Sequence, residues 1–140
     1  MNLESAGPIP DVFTTARALP TVVIEPVCRT WETYLGSMRA DYRRRVKRIL
    51  AGSERLAIGT AHCNTFSTRH HELYGQVWAG SDAKLEKLTR DFFRMLPGEF
   101  HMITAHLEER LVGWAIVLET AEGMDYFLGG IDYEHNQDYL

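Results

Sequence analysis

The sequence predicts a mixed α+β domain, and three observations predict it. Residues Phe100 to Asp132 hold three strand-like runs joined by short polar turns at Glu108-Glu109-Arg110 and Thr120–Gly123. Strands linked this tightly pair antiparallel, since parallel neighbours need a crossover of about a dozen residues. Ahead of this meander, apolar residues recur at helical spacing from Trp31 to Leu50, and two shorter helical patterns follow. Helical patterns followed by an antiparallel meander make a mixed α+β arrangement.

Taken in order, residues 1–20 carry Pro8, Pro10 and Pro20 without periodicity and read as an irregular leader, with the domain spanning 21–140. Thr21 to Glu25 is β-branched and ends at Pro26, a short strand. Thr30 is a good N-cap for a helix whose apolar face is Trp31, Tyr34, Leu35, Met38, Tyr42, Val46, Ile49 and Leu50, ending near Gly52. Leu56 to His62 is a second strand. Phe66, Leu73, Tyr74, Val77 and Trp78 share one helical face. Ser81 caps a further helix with Leu85, Leu88, Phe92, Met95 and Leu96 on its apolar side, stopped by Pro97-Gly98. In the last strand, Gly129 and Gly130 stand where packing side chains are expected, which marks a bulge or a close approach of another backbone or a ligand.

The 140 residues allow one domain. A net charge of −4 gives no global attraction to nucleic acid or an anionic membrane. No apolar run is long enough to span a bilayer, and the first residues lack the basic and apolar regions of a signal peptide, so a cytoplasmic protein is expected. Two cysteines, Cys28 and Cys63, make no disulfide framework and are expected to be reduced.

The order of pieces resembles the GNAT acyltransferase superfamily, in its FemABX-like and cellulose-biosynthesis branch. The matching residues are Trp31, Tyr34 and Leu35, then Arg43, Arg44 and Arg45, then Leu111-Val112-Gly113 and Tyr126-Phe127-Leu128-Gly129-Gly130. The resemblance implies transfer of an acyl group from acetyl-CoA or another acyl-CoA to an amine of a small or sugar-like acceptor. It also implies a GNAT-like mixed sheet and no metal. The family's Gln/Arg-x-x-Gly-x-Gly/Ala pyrophosphate loop, which uses helix N-terminal amides, would fall after Asp132 and is not found there. The chain therefore resembles the front portion of such a domain, with the C-terminal part of the fold missing.

On this resemblance Leu128, Gly129 and Gly130 are the cofactor-binding candidates, their strand amides gripping the thioester carbonyl as an oxyanion site would. Asp132 and Tyr133, at the strand end, are the candidates for acceptor contact. Arg39, Arg43, Arg44, Arg45, Lys47 and Arg48 against Asp41 give a local +5 in a chain of −4. That helix is either a solvated face or a dock for a phosphate-bearing partner, and an aminoacyl-tRNA donor fits the same reading, though nucleic acid is not favoured. His70-His71 lack metal-ligand spacing, and His101 and His106, an odd number apart on one strand, face opposite sides of the sheet. No membrane partner is expected. The unpaired last strand offers an edge for self-association.

Overall fold

The computed structural model describes residues 28, 30–82, 84, 86–121 and 123–134. The strand expected at Thr21 to Glu25 and the 1–20 leader lie outside them. Contacts divide the chain into two units, Met1–Ser37 and Met38–Leu140.

In the first unit, α1 spans Trp31–Ser37. Thr30 Oγ1 accepts from the Thr33 amide at 3.2 Å, the expected cap. In the second unit, α2 spans Ala40–Gly52. The single helix expected from Trp31 to Leu50 is therefore two. Ser37 Oγ donates to the Tyr34 carbonyl at 2.7 Å, and Arg39 is extended at ψ 146°, so the helical ladder cannot run through.

The remaining elements of the second unit are β1 (Leu56–His62), α3 (Thr68–Gly80), α4 (Arg90–Arg94), β2 (Phe100–Leu107), β3 (Arg110–Thr120) and β4 (Gly123–Ile131). The four strands form one antiparallel sheet in chain order, so the Leu56–His62 strand joins the expected meander at its β2 side. The second helical pattern is shorter than its spacing suggested. Its cap is Thr89, whose Oγ1 accepts from the Phe92 amide at 3.2 Å. Ser81 instead ends α3, its amide donating to the Trp78 carbonyl. The face turns accordingly: Phe93 is fully buried while Met95 is 82% exposed.

Cross-strand pairing assigns the faces. Ala61, Met102, Ile116 and Leu128 lie side by side on the inner face, followed by Gly59, Thr104, Trp114 and Gly130. Against them pack Leu73 and Tyr74 of α3, Phe93 of α4, and Phe66. Phe66 is the hub, stacked on Phe93 at 4.5 Å and meeting the edge of Trp114 at 5.0 Å. Trp114 Nε1 donates to the His70 carbonyl at 2.9 Å, which fixes helix to sheet without an unmet donor. His101 lies on the outer face and His106 on the inner, as their spacing requires.

Two bulges shape the sheet. Val112 is the extra residue of β3 opposite Ala105 and His106, and Phe127 is the extra residue of β4 opposite Ile116 and Val117. Both bulges increase local twist. Gly130 is needed for close packing: a Cβ there would lie 2.8 Å from Trp114 Cε2 and 2.8 Å from the Tyr74 backbone nitrogen. Gly130→Ala therefore pushes α3 off the sheet. We expect it to cost about 1–3 kcal/mol in urea unfolding, whereas Gly80→Ala, with open space around its Cβ, holds or raises stability.

Candidate functional site

The site is built where the end of β4 meets the start of α3. Ser67 and His70 form a capping box. Ser67 Oγ accepts from the His70 amide at 3.5 Å, and His70 Nδ1 accepts from the Ser67 amide at 3.1 Å. This cap fixes the first turn of α3 and sets Arg69 against the end of β4. Arg69 donates to Asp132 Oδ2 at 2.7 Å, and Arg110, at the start of β3, donates to the same oxygen at 2.9 Å. The other oxygen, Oδ1, accepts from the Glu134 amide at 3.2 Å. Asp132 also donates its own amide to the Val112 carbonyl. Its side chain has no exposed surface. The sequence placed Asp132 at an acceptor cleft; the structure holds its carboxylate inside, where it ties three elements together.

Gly129, Gly130 and Tyr133 come together along one groove, with a volume of about 460 Å³. Leu128 packs inward against the core, and neither Leu128 nor Asp132 lines the groove. Tyr133 is half-exposed and anchored by its amide, which donates to Gln76 Oε1 of α3 at 3.0 Å. Ladder parity separates the two glycines. With Asp132 donating to Val112, the alternation of an antiparallel pair places Gly130 opposite Trp114 and Leu128 opposite Ile116 in hydrogen-bonded pairs. The amide and carbonyl of Gly129 then turn to the free edge of β4, where no described strand lies. Gly129 thus supplies an edge donor and Gly130 supplies room for α3. Glycine at 129 also admits the Tyr126 ring, whose hydroxyl lies 2.7 Å from where a Cβ would stand.

Sequence reasoning gave no reason to single out Arg69 or Arg110, and weighed His70 only as a metal ligand. Arg69 and Arg110 are ordinary surface residues by pattern, and only the fold brings them to Asp132. For His70, the Ser-x-x-His spacing before an apolar run was the available signal. Its Nε2 is buried without a hydrogen-bond partner. Burial, and then the nearby His106, push its proton affinity below the ordinary value. His71 goes elsewhere, its Nε2 lying 3.0 Å from the Leu88 carbonyl. No group of three or more potential metal ligands occurs among the described residues. Burial raises the Cys63 pKa, the setting of an inert thiol. On α2 no residue is buried, and Arg44 pairs with Asp41 at the surface.

The described residues form a mixed α+β fold, a four-stranded antiparallel sheet with helices packed on one face. A family model described as "Acetyltransferase (GNAT) domain" matches residues 36–139. The chain belongs to this family, whose members generally use acyl-CoA, and membership supports acyl transfer in general. A comparison with curated proteins gives no match. No helix among the described residues is long and apolar enough to cross a membrane.

Two outcomes follow from this geometry. Asp132→Ala removes the buried acceptor that Arg69 and Arg110 share. Loss of a partner from a fully buried pair costs roughly 3–5 kcal/mol, and the partial exposure of both guanidinium groups lowers this to about 2–3 kcal/mol, read by denaturant unfolding. His70 binds its proton less readily folded than unfolded. Its contribution is complete above the unfolded value of 6.5 and is lost as pH falls through the lower folded value. His70→Gln preserves the capping box and removes the titration. The variant should therefore show a flatter stability curve than the parent between pH 7 and about 5.

Proposed function

We propose that the chain is an N-acyltransferase that takes an acyl group from acyl-CoA and passes it to an amine of a small acceptor. The observation that carries the reading is the outward Gly129 amide on a bulged edge strand, in a chain of the GNAT family. Acyl-CoA supplies an activated thioester carbonyl. The Gly129 N–H donates to that carbonyl oxygen and strengthens its hold as charge develops there. The residues present fit this end of the cosubstrate: an edge amide without a strand partner among the described residues, reached by an open groove. Tyr133, beside Gly129 in the groove, borders the approach of the acceptor. Asp132 acts as a positioning residue, holding the turn that presents Tyr133. Acetyl-CoA is the simplest donor on this reading. Self-association through the β4 edge would compete with it, because both need the same amides.

A second reading assigns the basic α2 to a phosphate-bearing partner, tRNA among them. It is supported by the absence of any buried residue on the helix and by its crowding of arginine. We rank it second because a solvated face accounts for the same pattern.

The donor is tested by a pair of variants. Gly129→Ala and Gly129→Pro add the same Cβ beside Tyr126 and the Trp114 carbonyl, but only proline removes the N–H. Because that N–H points off the sheet, proline costs no ladder bond. In calorimetry with acetyl-CoA, Gly129→Pro should bind about tenfold more weakly than Gly129→Ala, the worth of one hydrogen bond. Equal affinity of the two variants, or no acetyl-CoA binding by the parent at millimolar ligand, removes the proposal.

A further inference from the structure

The geometry points to a donor with a hydrocarbon chain of medium length, lying across the outer face of the sheet, in preference to acetyl. This deepens the proposed function and rests on its placement of the thioester at Gly129. The groove is continuous with that point. From the β4 edge, beside Val77 and Tyr133, it crosses Gly129 and Ala115 and reaches Ile103 of β2. Pairing explains its floor. Gly129, Ala115 and Ile103 stand opposite one another on the outer face, as do Ile131, Gly113 and Ala105. Glycine or alanine fills four of these six positions, so the central strands present a shallow trough flanked by isoleucine and tyrosine side chains.

Its chemistry selects the occupant. No charged residue lines the groove among the described residues. An ammonium, a phosphate or a polyhydroxylated ring would lose water there and gain few partners, whereas methylenes lose only unfavourable hydration. At about 460 Å³ the space falls in the roughly 300–1,000 Å³ range of small-molecule sites, beyond what the two carbons of an acetyl group fill. A chain entering from a thioester at the Gly129 edge passes the Tyr126 hydroxyl, which rests against Gly129, and continues onto the trough over Ala115 and Gly113.

The experiment is calorimetry of the full chain with acetyl-, hexanoyl- and octanoyl-CoA, repeated on Ala115→Leu and Ala105→Leu. Full burial gives about fourfold in affinity per methylene; one open side reduces this to roughly twofold. Octanoyl-CoA should therefore bind the parent about 50-fold more tightly than acetyl-CoA. Each leucine variant should lose most of that gain while keeping acetyl-CoA affinity. Affinity independent of chain length, with acetyl-CoA still bound, overturns the chain trough and leaves the acyltransferase reading standing. No binding at any length overturns both. Light scattering on the same samples reads a rival occupant: a dimer dissociated by Ala115→Leu puts a second copy in the trough and overturns the assignment.

Discussion

The buried carboxylate of Asp132 is the constraint on which the site depends. A charge with no exposed surface is tolerated only when its attraction to neighbours offsets the water it has lost. Here two guanidinium groups and a backbone amide meet it, and each comes from a different place: Arg69 from the first turn of α3, Arg110 from the start of β3, and the Glu134 amide from the turn after β4. The carboxylate therefore works as a three-way tie. It sets where β4 ends, and through the Asp132 amide it sets ladder parity along that strand. Parity in turn decides that Gly129, and not Gly130, faces the open edge.

Helix packing works toward the same end. The Trp114 indole bonded to the His70 carbonyl and the absent Cβ at Gly130 bring α3 against β3 and β4 at van der Waals range. Phe66 and Phe93 fill the inner face behind them. The inner face is thus closed by aromatics, while the outer face carries glycine or alanine at four of the six positions around its centre. One sheet supplies both a rigid support and an open surface, and the two differ only in which alternate residues carry bulk.

Much of this was legible in the sequence. Tight polar turns fixed the antiparallel meander, and the Leu56–His62 strand was found with its observed bounds. The glycine pair marked a real irregularity. Its position was less legible: the extra residue is Phe127, because a bulge depends on pairing with β3, which alternation along one strand does not encode. The helix break at Met38 and Arg39 was hidden because apolar spacing continues across it, while the backbone leaves the helix at a serine that bonds backward. The expected apolar face took in Phe92 and Met95 and did not name Phe93, because a five-residue helix shows too little of its period to fix a face. The Asp132 clasp could not be read at all, since its partners lie 63 and 22 residues away.

The extra residue at Phe127 has a consequence for how this chain can vary. On either side of it, β4 keeps its inner and outer sets in phase with β3, Tyr126 opposite Val117 and Leu128 opposite Ile116. Loss of one codon at that point would close the ladder and leave every other side chain on its present face. Loss of one codon elsewhere between Leu128 and Ile131 would swap the two sets, burying what now meets solvent. Length variation in this strand has a single permitted address, and using it would straighten the edge that carries Gly129.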